Sequence, residues 1–540
     1  MNVTEVADRL LADLAPLDAR AAGAVGRPPE VVVPDASPAA WDARREVHAA
    51  ARRRLAAAEA PTRADRRLAL VLAERLDAEV ALDDCGFTRS LVAPLATPAH
   101  QIREAFDDLA GDDPDRLGAN LDAVPAALAG WAATLAASLD AGRVAPARIV
   151  AAMAAQCARW VDPAGDDFYA RLAADRPALA RGASLATAAT QEFVAFLRTT
   201  LLPRARTTVA AGRDVYSVTA RAFLGEDVDL DETYAWGWEE LAALSAEMRQ
   251  VAAALGHGSV EEAAAALDAD PARTVRDPAR LLAWLQGRVG EVTAAVDGVH
   301  FDLPAGVDPV ECRLAAATSG VMYYTAPDPD FRRPGRIWWS PPAGPSHTWR
   351  ELTTVLHEGV PGHHLQTVVA MRAPGLHPWQ RMLAHVHGHV EGWAHYAERL
   401  AGEIGLLADP GDRLGMLFGQ RWRAARVVID LGLHLDLPIP AGNGLTDASR
   451  WTPEVGVAVL RAASGADEGA AAVEVDRYLG WPGQALAFRV GARSWEAIRL
   501  EAGARRPFDR RAFHMRLLRL GTMGLGPLRS IAAEELDGRG

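Results

Sequence analysis

Apolar side chains recur every three or four residues through most of the first 300 positions, which is the spacing of amphipathic helices. Asp, Pro and Gly stand at the joints between these segments, where helices begin and end. The clearest predicted helices cover residues 41–60, 63–82, 121–138, 186–201 and 233–255. Neither a fixed-period repeat nor a long Ser/Gly linker interrupts them, so this part of the chain is expected to form one helical body.

The pattern changes between residues 298 and 340, where β-branched and aromatic residues replace the helical spacing. Three strands are predicted there, at 299–303, 321–324 and 335–339, with Pro- and Gly-containing turns between them. From residue 348 onward the spacing is helical again. The sequence therefore predicts a mainly α fold with one small β-sheet next to the helix that carries the candidate chemistry.

Two segments follow from this change of pattern. Residues 1–295 are predicted to form a helical N-terminal lobe, and residues 296–540 a lobe that carries the catalytic and metal-binding residues. Because no linker separates the two lobes, they are expected to interleave in one compact body.

Composition narrows the classes of function. The 540-residue chain has a net charge of −13, which disfavours nucleic-acid binding because phosphate contacts need clustered positive charge. It contains no lysine, which excludes Schiff-base chemistry and a P-loop. Its three cysteines, Cys85, Cys157 and Cys312, are far apart, so neither a disulfide framework nor a cysteine zinc site is expected. The N-terminus lacks an apolar signal region and no run of eighteen apolar residues occurs, which predicts a cytoplasmic protein without a membrane partner.

The strongest chemical signal is the segment HEGVPGHH at residues 357–364. It lies on a helix predicted to start at a capping box, with Thr348 at the cap and Glu351 three residues on. Zinc peptidases usually carry H-E-x-x-H, because histidines four apart share one helical face. Here the fourth position is Pro361, and the next histidines are six and seven residues after His357.

A straight helix cannot bring these histidines to one ion, because six residues rise roughly 9 Å and two zinc-bound nitrogens lie only some 3–4 Å apart. Proline breaks the helical hydrogen-bond ladder, and Gly362 permits an unusual turn. A two-residue bulge at Pro361 and Gly362 is therefore predicted to return His363 to His357. A kinked helix with surface histidines is the alternative interpretation.

A third ligand is available on a downstream helix, where Glu391 follows His357 by 34 residues. Two histidines and one carboxylate leave the fourth position of a tetrahedral zinc ion open for water. His395 is one turn away and is interpreted as a core histidine. His385, His387 and His389 alternate, cannot share a helical face and are interpreted as surface or packing residues.

The combination HEGVPGHHLQ followed by EGWAHYAE resembles a bacterial family of unknown function, number 885, whose hallmark is HExxPGHH. Further stretches of the chain share the resemblance, at 426–434, 474–478, 482–486 and 513–514. The family is similar to gluzincin zinc peptidases, including thimet-type oligopeptidases, angiotensin-converting enzyme and thermophile carboxypeptidases. This resemblance implies a gluzincin-like helical architecture with a deep cleft and one zinc ion at its floor.

The resemblance also implies roles for the residues of the motif. His357, His363 and Glu391 match the metal ligands, and Glu358 matches the general base. His364 would bind substrate or orient a ligand, although geometry alone also allows it to replace His363 as the second histidine ligand. The roles of Tyr396 and Glu398, which either support the ligands or are ordinary helix residues, stay open.

Further polar residues stand in apolar surroundings. Arg426, Asp430 and His434 follow each other at four-residue spacing, either as a buried structural pair or with His434 as a catalytic group facing the substrate. Tyr478 is a candidate for stabilising the tetrahedral intermediate, or else a core tyrosine. Where the family usually has Tyr-Lys, this chain has Phe488 and Arg489, and Arg489 suits a substrate carboxylate.

These observations predict a zinc metallopeptidase that hydrolyses amide bonds in short peptides or amide-bearing small molecules. A catalytically altered zinc-containing binding or scaffold protein of the same fold is the alternative. A carboxylate-bridged di-metal oxidase fits less well, because it needs Glu and His three residues apart, whereas Glu391 and His395 are four apart. Substrate identity, the cleaved end and the oligomeric state do not follow from the sequence.

Overall fold

The structure is a computed structural model of the chain, and it describes residues 1–109, 114–314, 322–328, 330–340, 344–504 and 507–536. The chain is mainly α-helical, as predicted. The helices up to residue 296 are α1 Val3–Leu14, α2 Ala19–Ala24, α3 Pro38–Ala56, α4 Arg63–Asp84, α5 Phe87–Ser90, α6 Pro98–Leu109, α7 Pro114–Asp140, α8 Ala147–Trp160, α9 Phe168–Ala173, α10 Ala180–Phe196, α11 Arg213–Leu224, α12 Leu230–Ala254, α13 Val260–Ala269 and α14 Pro278–Val296.

The helices after the strand region carry the motif residues. They are α15 Thr348–Glu358, α16 His363–Arg372, α17 Pro378–Met382, α18 His387–Glu403, α19 Pro410–Leu435, α20 Pro453–Ser464, α21 Glu468–Gly480, α22 Ala487–Gly503, α23 Arg510–Leu518 and α24 Leu525–Leu536. All five helices predicted from the apolar spacing are present, and the one expected at 186–201 ends in a π-helical turn, Leu197–Leu201.

Two small sheets are described, where the sequence predicted one. Strand β1, Thr274–Val275, pairs antiparallel with β5, Ser346–His347, directly before α15. The larger sheet has the order β2–β4–β3, in which β4, Gly335–Trp339, is parallel to β2, Val310–Leu314, and antiparallel to β3, Tyr323–Thr325. The predicted strands at 335–339 and 323–324 are confirmed, while Val321 lies outside the described residues.

The strand predicted at 299–303 is wrong. Residues 298–300 form a turn after α14, closed by a hydrogen bond from the Gly298 amide to the Phe301 carbonyl. Gly298 adopts a positive φ of 67°, which a local turn can use and a strand cannot. The Phe301 side chain is buried against the rings of Trp393 and His514.

The capping box predicted at the start of α15 is also absent. His347 is the N-cap residue, and no side chain caps the helix there. The Thr348 hydroxyl donates instead to the carbonyl of Arg273, and the Glu351 carboxylate accepts from the indole of Trp339. Hydrogen bonds to residues distant in sequence therefore engage the Thr348 and Glu351 side chains, which would otherwise have formed the capping box.

The motif segment is a break between two helices rather than a bulge in one. Helix α15 ends at Glu358, the residues Gly359 to Gly362 form a turn that contains a cis Val360–Pro361 peptide, and α16 begins at His363. The Gly362 amide donates to the Leu356 carbonyl at 3.0 Å. A Cβ atom at Gly362 would collide with the carbonyl of His357, so only glycine fits at this position.

Helices α15, α18, α19 and α22 surround this turn. Helix α12, which belongs to the predicted N-terminal lobe, packs along α19 of the other predicted lobe, so residues from both halves share one core. The lobe boundary at 295/296 stays a prediction.

Helix α7 is long and apolar enough to cross a membrane by length and composition. Part of its side chains are buried inside the protein, including those of Leu121, Trp131 and Leu135, and the helix packs against α10. These contacts are those of a core helix.

The approach of α18 and α22 is very close because glycines meet at their crossing. A Cβ at Gly392 of α18 would lie 2.6 Å from the backbone of Gly491 of α22, and a Cβ at Gly491 would collide with the Gly388 carbonyl. Helix α18 also carries Glu391, and it packs separately against α15 and α16, which carry the other motif residues.

We expect Gly491→Ala to lower the melting temperature by several degrees, because the added methyl must separate α18 and α22 at a cost of about 1–3 kcal/mol. Gly503→Ala, at the end of the same helix with no atom within 4 Å of its added Cβ, is the matched control and should melt unchanged or slightly higher. Thermal unfolding followed by circular dichroism measures both. Equal melting temperatures for the two variants would contradict the tight crossing.

Candidate metal centre

Three predicted ligands, His357, His363 and Glu391, converge at the helix break. Each contributes one nitrogen or oxygen atom to a group in which all atoms lie within 4.8 Å of one another. The Glu391 Oε2 atom is 3.4 Å from Nε2 of His357 and 3.4 Å from Nε2 of His363. The two imidazole rings are nearly perpendicular, with centroids 4.8 Å apart.

Two of the three donor separations match those around a tetrahedral metal ion, and the two histidine nitrogens lie within 4.8 Å of each other. Bonds of about 2.1 Å in tetrahedral geometry separate neighbouring donor atoms by about 3.4 Å, the spacing of Glu391 Oε2 from each histidine. That oxygen is buried and has no well-formed hydrogen bond within the described part of the chain. Two imidazoles and one carboxylate are the donor set of many zinc hydrolases, so these residues could hold zinc and leave one position open.

Glu398 contacts the ligand His357 on the side of the ring that faces away from the metal position. One of its carboxylate oxygens lies 2.7 Å from Nδ1 of His357, and the other accepts from the Thr353 hydroxyl at 3.1 Å and the Gln420 amide at 3.0 Å. A carboxylate at Nδ1 fixes the tautomer and the ring orientation of a histidine and directs Nε2 to the metal position. Of the two roles left open for Glu398, the contacts favour support of a ligand.

The sequence contains a signal for this role of Glu398. Glu398 follows Glu391 by seven residues, two turns along α18, and therefore lies on the same face. Thr353 likewise precedes His357 by one turn of α15, so it lies on the same face as that ligand. Gln420 comes from α19, and no local pattern indicates its contact.

The electrostatics of the centre favour a bound positive charge. Burial by itself would lower the pKa of His357, but Glu391 and Glu398 outweigh burial and raise that pKa to about 10. Burial would also raise the pKa of both carboxyl groups, but the adjacent histidines hold both well below the usual range. Such a site stabilises a proton or a cation between its carboxylates.

Glu358, the predicted general base, is the last residue of α15 and directly follows the ligand His357. Burial raises the pKa of its carboxyl group, and His363, His357 and Arg423 counteract part of that rise. Within the described residues, no hydrogen-bond donor engages this carboxylate, so its oxygens are free to accept a proton from water.

His364 points away from the other motif residues. Its Nε2 donates to the Val307 carbonyl at 2.6 Å, which leaves Nδ1 to accept from the Tyr324 hydroxyl at 2.9 Å. With both ring nitrogens engaged and the side chain fully buried, His364 is neither the second histidine ligand nor a free substrate contact. The structure thus brings His363, the favoured alternative, to the centre. Tyr324, which no sequence signal indicated, is held beside the motif by this bond.

His434, predicted as a catalytic group, is closed off by backbone contacts. Its Nδ1 accepts from the Ala211 amide at 3.1 Å, and its Nε2 bonds the Tyr478 carbonyl at 3.0 Å. Asp430 accepts from the Tyr216 hydroxyl and the Gly483 amide, and burial raises its pKa to about 7. The predicted Arg426–Asp430 ion pair does not form, and this part of the polar stripe is structural.

Tyr478 and Arg489 are likewise engaged elsewhere. The Tyr478 hydroxyl donates to Glu474 at 2.9 Å and is buried. Arg489 is buried between Glu240 and Glu496, at 2.6 Å and 3.0 Å. Because both carboxylates already compensate its charge, Arg489 is not available to a substrate carboxylate as predicted.

Phe488 lies directly on the centre. Its ring stacks on the imidazole of His357 at a centroid distance of 6.0 Å and an interplanar angle of 14°. The residue that departs from the family pattern thus packs against a predicted ligand and offers no hydroxyl there.

The remaining aromatic and histidine candidates divide into two groups. Tyr396, whose hydroxyl bonds His514 at 2.7 Å, and His395, which contacts Glu398 and Gln420, are buried in the core. His389 is also buried. His385 is exposed, and His387 is partly exposed.

In the part of the chain that the structure describes, the group of His357, His363 and Glu391 is the one cluster that could hold a metal ion. His395 directs Nδ1 to Glu398 rather than to a second metal position beside Glu391. The geometry therefore favours a single ion over a pair bridged by carboxylates.

Comparison with known proteins agrees with this fold. A "putative lipoprotein" from Colwellia psychrerythraea has a TM-score of 0.84 at 21% identity, covering 99% of both chains. A "putative lipoprotein of unknown function" from Shewanella oneidensis has a TM-score of 0.74 at 17% identity, covering 99% of this chain and 100% of the other. These descriptions do not support the predicted cytoplasmic location.

No curated protein matches the chain significantly. The model of a family described as bacterial protein of unknown function, DUF885, matches residues 16–531. This match spans nearly the whole chain and includes every residue of the candidate centre. The chain therefore belongs to the DUF885 family.

Proposed function

We propose that the protein is a zinc-dependent hydrolase that cleaves amide bonds in short peptides or peptide-like small molecules. The observation that carries the proposal is the position of Glu391 Oε2, buried and 3.4 Å from the Nε2 atoms of both His357 and His363. A proton acceptor, Glu358, adjoins these three donors. A structural metal site has no need of such a group.

The residues of the centre would have three roles, which are metal binding, proton transfer and orientation of a ligand. His357, His363 and Glu391 would hold one zinc ion, and zinc supplies a Lewis acid that makes water nucleophilic near neutral pH. Glu358 would take the proton from the attacking water and return it to the leaving amine. Glu398 holds His357 in the required tautomer.

The surroundings of the centre support a small substrate. His357, Glu358 and His363 are buried, while Glu391 retains about a fifth of its side-chain exposure. A site of this kind, at the base of a gluzincin-like cleft, admits an extended peptide or a small molecule more readily than a folded protein.

A zinc-containing binding protein of the same fold is the second candidate, and Phe488 is the observation that favours it. The phenyl ring stacks on His357 where the family usually carries a tyrosine, so no hydroxyl from this position can stabilise a developing oxyanion.

We expect Glu358→Gln to retain one zinc per chain and to lose at least about 100-fold in turnover, because the amide cannot accept the proton from water. Zinc content is measured by elemental analysis. Turnover is measured with a library of short peptides that have free or blocked termini. Full activity in this variant would contradict the role of Glu358, and zinc binding without hydrolysis by the unchanged protein would favour the binding-protein candidate.

We expect Glu398→Gln to weaken zinc binding about 10- to 100-fold, because His357 loses the carboxylate that orients it. Competition with a chromophoric chelator measures the affinity. Glu403→Gln is the matched control, since Glu403 lies on the same helix and pairs with Arg499 at the surface. Equal zinc affinity in both variants would show that Glu398 plays no part in the centre.

A further inference from the structure

Three arginines gather next to the candidate centre, on the far side of Phe488. Arg426 of α19 places its guanidinium carbon 4.2 Å from the Phe488 ring, and Arg423, one turn earlier, lies 5.5 Å from it. Arg426 and Arg477 of α21 both lie over the Tyr478 ring, at 5.4 Å and 5.6 Å. We call Arg423, Arg426 and Arg477 the arginine cluster.

Among the described residues, one of the three arginines in the cluster forms an ion pair, while the charge of Arg423 acts on Glu358 and that of Arg426 on Asp430 from a longer distance. Arg477 pairs with Glu474 at 2.7 Å. Neither Arg423 nor Arg426 has a carboxylate oxygen within 4.0 Å in the described residues, and Arg426 donates only to the neutral Gln484 amide oxygen at 3.2 Å. The Nε atoms of all three arginines are buried without a hydrogen-bond partner among those residues.

This arrangement is unfavourable for the protein alone. Arg426 is 98% buried, with a relative exposure of 2%, and burying a guanidinium without an anionic partner is costly. Burial and the neighbouring Arg477 lower the pKa of Arg426 to about 10, so the side chain still carries its charge near neutral pH. An anion at the cluster would satisfy the free donors and offset the charge.

The outer part of the cluster is exposed to solvent. Arg423, Arg477 and Glu474 are partly exposed, and the side chains of Arg477 and Glu474 retain 16% and 20% of their exposure. Arg423 and Arg477 are therefore the members of the cluster that a ligand can contact from solvent, whereas Arg426 is buried.

The arginine cluster is close enough to the candidate metal centre to bind a group of the same substrate molecule. Phe488 stacks on His357 at 6.0 Å and on the Arg426 guanidinium at 4.2 Å, so the two outer groups lie no more than about 10 Å apart. An extended peptide advances about 3.3–3.6 Å per residue. A carboxylate bound by the cluster would then belong to the first or second residue beyond the scissile amide.

We propose that the arginine cluster binds a carboxylate of the substrate and thereby selects peptides with a negative charge one or two residues from the cleaved bond. This inference rests on the proposed hydrolase function. The cluster, rather than Arg489, takes the role of carboxylate recognition, because Arg489 is already compensated by two glutamates. The carboxylate is either the C-terminal one or that of an acidic side chain, and both have the same chemistry.

The test measures binding to the zinc-loaded full-length Glu358→Gln variant by calorimetry, so that it requires no turnover. The first pair of probes is N-acetyl-trialanine and its C-terminal amide, and the second is acetyl-Ala-Glu-Ala-amide and acetyl-Ala-Gln-Ala-amide. We expect the carboxylate to improve affinity at least about tenfold in one of the two pairs. A preference in the first pair assigns the cluster to the C-terminal carboxylate, and one in the second pair assigns it to an acidic side chain.

Adding Arg426→Gln or Arg423→Gln should abolish that preference. Arg421→Gln should preserve it, because Arg421 lies on the same helix but interacts with Glu261 and Arg249 instead. Melting temperatures verify folding, and if Arg426→Gln unfolds, the partly exposed Arg423 decides the outcome. Equal affinities within both pairs, or a preference that survives in the cluster variants, would overturn the inference. Failure of the hydrolase proposal would appear separately, as absent zinc or as turnover unaffected by Glu358→Gln.

Discussion

The candidate centre depends on the burial of three carboxylates, those of Glu358, Glu391 and Glu398, around two imidazoles. Carboxylates buried close together in a low-dielectric environment stay ionised only when a positive charge lies between them. A proton on His357 supplies such a positive charge, and the neighbouring carboxylates therefore raise the pKa of His357. A divalent cation would meet it more completely, because it contacts both histidines and Glu391 at once.

The backbone around the centre is arranged to permit this concentration of charge. Helix α15 ends at Glu358, and the turn that follows returns the chain so that His363 opens α16 beside His357. Gly362 is the residue that allows the turn to pass so close to the His357 carbonyl. On the opposite side, α18, which carries Glu391, packs closely on α22 because glycines meet at their crossing. Close backbone contacts that require glycine thus lie on the elements that carry the donor atoms.

The sequence predicted those features whose cause is local. Apolar periodicity identified the long helices, and the spacing of His357, Pro361, Gly362 and His363 required a departure from a straight helix. The form of that departure, a break instead of a bulge, depends on close tertiary contacts around the turn, such as that of Gly362 with the His357 carbonyl, which no short sequence window reveals. The capping box failed for the same reason, since distant partners engage Thr348 and Glu351.

Residue roles that depend on tertiary partners were predicted less well. His434, His364 and Arg489 are polar residues in apolar company, and that pattern alone cannot distinguish a free functional group from one satisfied by a remote carbonyl or carboxylate. Each proved to be satisfied in this way. The arginine cluster was missed for the converse reason, because the lack of an ion pair for Arg423 and Arg426 among the described residues becomes visible only in three dimensions.

Helix α19 has a consequence for how the parts of the centre respond to one another. Gln420, on this helix, donates to Glu398, and Arg423 and Arg426 follow it by three and six residues. The contact that steadies His357 and the guanidinium groups on the far side of Phe488 therefore share one rigid element. A shift or rotation of α19 would change both at once, and a coupling of this kind between ligand binding at one end and geometry at the other would act equally in both directions.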